Sequence, residues 1–150
     1  MKNVKFLLSA ALVFLASAAL AQDFSGPQYA KWGATPEERE QNILNSNFLK
    51  ESCDNRDYDA AAHYLKGLID KIPDAAESIY QRGAVVYKNK INRAKSVAEK
   101  NMFIDSLMLM YDMRAQYFGD NVKPGKTAFI LDQKAREFLR YKPNDRKGIR

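Results

Sequence analysis

The stretch GDNVKPGKT, from Gly119 to Thr127, combines glycine, lysine and threonine in an order that suggests phosphate binding. A phosphate-binding loop has four residues between its first glycine and the Gly-Lys-Thr, and it follows a β-strand so that backbone N–H groups surround the phosphates. Here five residues intervene, Pro124 removes one N–H donor, and the preceding residues follow a helical pattern. We therefore interpret the stretch as a loop between two helices.

Sulfur and imidazole groups offer two further kinds of chemistry. Thioether sulfurs bind copper(I), but methionine also fills irregular cores, and we favour packing for Met102, Met108, Met110 and Met113. The single cysteine, Cys53, lies ten residues from the single histidine, His63, in a different predicted helix. We expect Cys53 to be a small buried apolar residue and His63 to lie on the surface or at a groove edge. The sequence thus predicts no enzyme, no metal and no cofactor.

A run of basic residues in a predicted helix has two interpretations. It is either an electrostatic site for an acidic segment or an anionic envelope polymer, or an ordinary solvated face. The run comprises Lys88, Lys90, Arg93, Lys95 and Lys100. The formal net charge of the chain is +6, and it falls to +4 without Lys2 and Lys5 of the amino-terminal segment, because 22 basic and 18 acidic residues remain. This charge is mild for a protein that binds nucleic acid, so we expect no nucleic-acid partner.

The residues that would carry such chemistry must be positioned by helices. Thr35 and Glu38 form a capping box with Pro36 at the first helical position, and the apolar residues that follow predict a helix to about Asp54. Residues 22–34, which are polar and contain Gly26, Pro27 and Gly33, predict an irregular leader. We expect Tyr29 and Trp32 of this leader to pack against the first helix.

The second and third helices are also predicted from capping residues. Asp57 can cap the second, which Pro73 ends because proline lacks the N–H that a helix needs. Asp74 can cap the third, with Glu77 three residues later.

The stretch from Ala75 to Phe118 contains no proline and is too long for one average helix. We divide it at Lys100-Asn101, where polar residues cluster. A fifth helix is predicted from Thr127 to Tyr141. No segment alternates with a period of two, so the predicted fold is all-α.

The amino-terminal segment, residues 1–21, is typical of a cleaved secretory signal peptide. Lys2 and Lys5 precede an apolar run, and Ala19 and Ala21 form an A-x-A cleavage site. The run is shorter than the roughly twenty residues that span a bilayer. We expect export, a periplasmic or envelope location, and no transmembrane segment in the mature protein.

The spacing of the first two helices resembles the tetratricopeptide repeat, a 34-residue helix–turn–helix. With Asn42 at the first position of the repeat, the residues at its packing positions are Tyr58, Ala61, Leu65, Leu68 and Pro73. A second unit starting at Ala76 places Gly83 where the family often has glycine. Asn45 and Leu49 depart from the tryptophan and glycine that the family favours in the first helix, and the helices after Gly83 look longer than its norm. Pro143, close to two repeat lengths after Pro73, resembles a further repeat junction.

The resemblance implies antiparallel helix hairpins stacked as a short α-solenoid over residues 35–145, with residues 146–150 as a tail that could start a further helix. First helices of such repeats line a concave groove, which implies Ile43, Ser46, Lys50 and Cys53 in the first unit and Tyr80, Ala84, Tyr87 and Lys88 in the second. Of these we expect Lys50, Tyr80, Tyr87 and Lys88 to contact a protein or peptide partner. Core packing of Tyr80 and Tyr87 remains an equal alternative.

The expected function is therefore an exported, non-catalytic scaffold in the cell envelope. One alternative is an amino-terminal structural domain that positions further polypeptide. Another is a hydrolase of envelope polymers, which would need convergent titratable groups that the sequence does not suggest.

Overall fold

The computed structural model describes residues 22–145 and is built from helices. The predicted signal peptide with Ala19 and Ala21, and the tail 146–150, lie outside the described residues. A short 3-10 helix, Pro27–Trp32, precedes five α-helices, and residues 22–145 contain no β-strand. The α-helices are α1 (Pro36–Asp54), α2 (Tyr58–Lys71), α3 (Glu77–Arg93), α4 (Val97–Phe118) and α5 (Lys126–Tyr141). The predicted all-α fold is confirmed.

The first two helices begin at the predicted caps. The Thr35 hydroxyl accepts a hydrogen bond from the Glu38 N–H at 3.2 Å, and the Glu38 carboxylate accepts one from the Thr35 N–H at 3.4 Å. The Asp57 carboxylate accepts the Ala60 N–H at 3.1 Å. These bonds satisfy backbone donors that the first turn of a helix leaves without partners.

The predicted cap of α3 is wrong, because the helix begins at Glu77 and not after Asp74. A turn follows Pro73, in which the Ala75 N–H donates to the Ile72 carbonyl at 3.1 Å. Asp74 lies in this turn, and Ala76 takes the N-cap position without a side-chain hydrogen bond.

The predicted division at Lys100-Asn101 is also wrong, since both residues lie inside α4. The break falls at residues 94–96. The Ser96 hydroxyl accepts the Glu99 N–H at 3.1 Å, and the Glu99 carboxylate accepts the Lys95 N–H at 2.7 Å. This pair of bonds starts a new helix directly after the old one ends.

The leader is more ordered than the sequence suggested. Its 3-10 helix packs on α1, and Trp32 is partly buried against the core. The Asn42 side chain, buried in α1, donates to the Trp32 carbonyl at 2.7 Å. Arg39 donates to the carbonyls of Phe24, Ser25, Gly33 and Ala34. These bonds hold the leader against the first helix.

Each helix packs against the next one along the chain, and α1 also contacts α3. The connections α1–α2 and α3–α4 span only three residues each, so their helices are antiparallel neighbours. One apolar cluster joins α1, α2, α3 and α4, and a second joins α3, α4 and α5. Tyr87 is partly buried against both clusters.

The residues predicted to pack between repeats lie at the helix interfaces. Tyr58, Ala61, Leu65 and Leu68 are buried in the first cluster. Gly83 is buried where a Cβ would approach Met110 of α4 and Leu65 of α2. Pro73 follows the end of α2 and accepts a hydrogen bond from the Tyr80 hydroxyl at 2.7 Å.

The second helical pair is longer than a 34-residue unit. Contacts between α3 and α5 join residues 49 apart, as in Lys126 with Glu77 and Lys88 with Glu137. Three helices separate Pro73 from Pro143, so Pro143 follows a first helix and not a complete pair. The prediction that Pro143 marks a repeat junction is therefore wrong.

A polar network fixes α5 against the second pair. Glu77 of α3 accepts hydrogen bonds from Arg114 of α4 at 2.9 Å and from Lys126 of α5 at 2.6 Å. Arg114 also donates to Gln133 at 2.9 Å. Burial raises the pKa of Glu77, but the hydrogen bonds from Lys126 and Arg114 outweigh burial and bring the pKa below its ordinary value.

Candidate functional site

The direct contact between α1 and α3 leaves a cleft of about 230 Å³. We call it the α1–α3 cleft. Trp32 closes one side, and the two helices supply the walls. Its lining residues are Trp32, Ile43, Ser46, Asn47, Lys50, Ala76, Ser78 and Arg82. It therefore combines apolar area with hydroxyl, amide and cationic groups.

The charge of the α1–α3 cleft is positive. The Lys50 ammonium contacts the Asp54 carboxylate of the next turn at 2.6 Å, and both side chains are exposed. Arg82 forms no ion pair with any residue of the described chain, 22–145. A guanidinium has five N–H donors, so Arg82 can bind an anionic group that enters the cleft.

Cys53 lies one helical turn beyond Lys50 on α1 and is partly buried against the core, not fully buried as expected. Burial raises the pKa of the Cys53 thiol, although the positive charge of Arg82 opposes that rise. The thiol form predominates when the pKa is raised, which disfavours nucleophilic chemistry.

The four predicted partner contacts lie in four different environments. Lys50 lines the α1–α3 cleft. Tyr80 is 1% exposed and stacks against Tyr117 with ring centroids 6.3 Å apart, so its core alternative is confirmed and its prediction as a surface anchor is wrong. Tyr87 is partly buried between the two apolar clusters, and Lys88 contacts the Glu137 carboxylate of α5 at 3.4 Å.

Five residues of the cleft were not among the predicted groove positions: Trp32, Asn47, Ala76, Ser78 and Arg82. Ser78 and Arg82 are four residues apart and so share one face of α3. The predicted second-unit positions, Tyr80 and Ala84, are buried in the core. Polar residues four positions apart beside the apolar stripe are the sequence signal that could have placed Ser78 and Arg82 together at the partly buried edge of α3.

A larger cavity, of about 510 Å³, lies between the start of α1 and the end of α2. Its polar groups on α1 already have partners: the Glu38 carboxylate bonds to the N–H groups of Ala34 and Thr35, and the Asn42 amide bonds to Trp32. Its one lining cation, Lys71, is exposed at the end of α2. Because size alone does not provide groups for recognition, we favour the smaller α1–α3 cleft.

The stretch that suggested phosphate binding is a closed loop between α4 and α5, as predicted. The Asp120 N–H donates to the Thr127 hydroxyl, and the Thr127 N–H donates to the Asp120 carboxylate, each at 2.9 Å. A helix precedes the loop. The threonine hydroxyl is thus committed to the loop itself.

The sulfur and imidazole groups are dispersed. Met108 and Met110 are buried in the core and Met113 packs against it, whereas Met102 is exposed. His63 is exposed, and the centre of its ring lies 5.6 Å from the centre of the Tyr64 ring. In the described part of the chain, no three histidine, cysteine, aspartate or glutamate side chains gather where they could hold a metal ion.

The basic run divides into paired and unpaired cations. Lys88 contacts Glu137, and Lys90 contacts Asp59. Arg93, Lys95 and Lys100 make no side-chain ion pair within residues 22–145. None of the helices described here is long and apolar enough to cross a membrane.

Comparison of the chain with protein-family models, with curated proteins and with solved structures gives no match in any of the three.

Proposed function

We propose that the chain is a non-catalytic helical scaffold that binds a protein or peptide partner through the α1–α3 cleft. The observation that carries this proposal is Arg82, a partly buried cation that has no ion-pair partner among residues 22–145 and lines a cleft with polar walls. An arginine without a carboxylate in such a setting favours a ligand that supplies one.

The cleft suits a segment of polypeptide in an extended form. Trp32 and Ile43 offer apolar area at one end, and Asn47 and Ser78 offer hydrogen bonds to a peptide backbone. Apolar contact would supply most of the affinity, while Lys50 and Arg82 would set orientation through a carboxylate of the partner.

The repeat-like packing supports a scaffold over an enzyme. Successive helices pack mainly on their neighbours, which leaves faces of first helices open to a ligand. The tetratricopeptide resemblance and the signal-peptide pattern of residues 1–21 together make the cell envelope the proposed location.

A photocrosslinking experiment tests the proposal. A benzophenone amino acid replaces Asn47 in the cleft, and in a matched control it replaces Lys66, which is exposed on α2. We expect residues 22–150 to crosslink a discrete envelope protein from position 47 but not from position 66. Arg82→Ala should remove that product. Equal crosslinking from both positions, or none from either, contradicts the proposal.

A second candidate, a structural domain that positions further polypeptide, rests on α5. This helix exposes Phe129, Leu131 and Leu139, which a neighbouring helix could cover. Sedimentation velocity over a range of concentrations compares the wild type with Leu131→Glu/Leu139→Glu. Self-association that the double substitution abolishes would favour this candidate.

A further inference from the structure

A second cleft, separate from the α1–α3 cleft, lies where the start of α2, the end of α3 and the start of α4 meet. We call it the basic cleft. Its volume is about 230 Å³, and its lining residues are Tyr58, Asp59, Lys90, Arg93, Lys95, Glu99 and Phe103. Three helices and the α3–α4 connection therefore place three cations around one concave space.

Two of these cations are held against aromatic rings. The Arg93 guanidinium lies 5.1 Å from the centre of the Tyr58 ring, and the Lys90 ammonium lies 5.4 Å from the centre of the Phe103 ring. Contact with the negative face of a ring fixes a cation without neutralising its charge. A stacked guanidinium also keeps its N–H edges free for a ligand.

Within residues 22–145, neither acid of the basic cleft forms an ion pair with Arg93 or Lys95, although the hydrogen bond and charge of Lys90, together with the charge of Arg93, lower the pKa of the Asp59 carboxyl. The Asp59 carboxylate bonds to Lys90, and the Glu99 carboxylate accepts the Lys95 N–H at the start of α4. The Asp59 side chain is 92% exposed whereas that of Lys90 is 19% exposed. An exposed acid thus pairs with a partly buried lysine, and its carboxylate occupies a position that an external anion could take.

The basic cleft has room for a small anionic group, since its volume of about 230 Å³ is below the roughly 300–1,000 Å³ of sites that enclose a whole small molecule. A phosphate group fits the space, and its oxygens can accept hydrogen bonds from a guanidinium and an ammonium together.

We propose that the basic cleft binds a phosphate group, carried either by a lipid headgroup or by a soluble phosphate compound. Arg93 and Lys95, which form no ion pair within residues 22–145, donate hydrogen bonds to the phosphate, and Lys90 exchanges its bond to Asp59 for one to the phosphate. This site does not depend on the peptide partner of the α1–α3 cleft.

Two assays with residues 22–150 test the proposal. In the first, amide resonances are followed during titration with inorganic phosphate, with sodium chloride at matched ionic strength as the reference. In the second, the protein is floated with vesicles of phosphatidylcholine and phosphatidylglycerol in a two-to-one molar ratio, or with vesicles of phosphatidylcholine alone. We expect phosphate-specific shifts at Ala94 and Lys95, or retention on the anionic vesicles alone. A response to phosphate indicates a soluble source, and a response restricted to the anionic vesicles indicates a headgroup.

Charge-matched variants make the result decisive. Arg93→Ala/Lys95→Ala should weaken the response by about tenfold or more, because charge-assisted hydrogen bonds are lost. Lys95→Glu should do the same while it leaves the contact between Arg93 and Tyr58 intact, and circular dichroism verifies folding. Lys123→Glu, which makes the same change of charge at an exposed lysine of the α4–α5 loop, should change nothing. The proposal is overturned by no response in either assay, by equal shifts with chloride, or by equal effects of Lys95→Glu and Lys123→Glu.

Discussion

Gly83 of α3 faces Met110 of α4 so closely that a Cβ on Gly83 would lie 2.6 Å from the Met110 sulfur. Met110 is 2% exposed, so it has little room to move away. The same Cβ would lie 3.2 Å from the Leu65 Cδ1 of α2. Glycine at this position lets three helices approach one another, which is the role that the repeat resemblance implied.

Substitution of Gly83 by alanine should therefore destabilise the protein. Overpacking costs about 1–3 kcal/mol, which exceeds the gain of up to about 1 kcal/mol from the better helix propensity of alanine. Gly67 provides a matched control, because it lies inside α2 with nothing within 4 Å of its would-be Cβ. Gly67→Ala should stabilise by about 0.5–1 kcal/mol. Urea denaturation measures both changes, and equal signs would contradict this account of the α3–α4 contact.

The start of α4 provides a second prediction. Ser96→Ala should lower the free energy of unfolding by about 1 kcal/mol, because the Glu99 N–H loses its side-chain acceptor. Asp74→Ala should change stability by less than about 0.5 kcal/mol, because Asp74 lies in a turn and caps no helix. Thermal denaturation distinguishes the two. A larger loss of stability for Asp74→Ala than for Ser96→Ala would instead support the sequence prediction that Asp74 caps α3.

The helix caps show which helix boundaries could be predicted from the sequence and which could not. Thr35 with Glu38, and Asp57, lie next to a proline or a tight turn, where local chemistry decides the boundary. Ser96 and Glu99 have the same spacing as Thr35 and Glu38, so the sequence contained the signal for the start of α4. The break was instead predicted at Lys100-Asn101, inside α4, because polar residues cluster there. The prediction that Asp74 caps α3 was wrong because residues 72–75 form a turn, so the helix begins only at Glu77.

The candidate site was predicted less well than the fold, for a physical reason. Periodicity identifies an apolar stripe, but α3 contacts α1, α2 and α4, so its buried surface extends around most of the helix. Tyr80 and Tyr87 therefore look alike in sequence although Tyr80 is buried and Tyr87 is only partly so. Arg82 could not be identified because its importance comes from the absence of a partner, which only side-chain positions show.

The environment of Tyr80 leads to a third prediction. Tyr80→Phe removes the hydrogen bond to the Pro73 carbonyl, and we expect a loss of about 1 kcal/mol in the free energy of unfolding. Tyr87→Phe is the matched control, since the Tyr87 hydroxyl makes no hydrogen bond with the described residues. Chemical denaturation should detect a change for the first variant alone. Equal losses would mean that the Tyr80 hydroxyl contributes nothing specific.

Glu77 makes stability depend on pH in a defined direction. Its pKa in the folded protein lies below the ordinary value of 4.5, so its ion pairs stabilise the fold above pH 4.5. This contribution is lost as the pH falls through the folded pKa. At pH 7, Glu77→Gln should cost about 2 kcal/mol, and the difference from wild type should shrink as the pH falls below 4.5 and through the folded pKa. Glu40→Gln, an exposed substitution on α1, should show no such trend in denaturation at several pH values. A difference that grows on acidification would contradict the assignment.

The final prediction concerns Arg82 and the partner that crosslinks at position 47. Arg82→Ala should weaken binding by about 1.5–3 kcal/mol, because a charge-assisted hydrogen bond to the partner is lost. Tyr87 is a poor test of the same cleft, since its ring packs against both apolar clusters and its truncation would alter the fold. Lys100→Ala removes the same charge from an exposed position at the start of α4 that does not line the cleft, and it should leave binding unchanged. Calorimetry at two salt concentrations measures the effect. Screening should weaken binding of the wild type more than that of Arg82→Ala, and equal salt dependence would show that Arg82 does not meet a charged group.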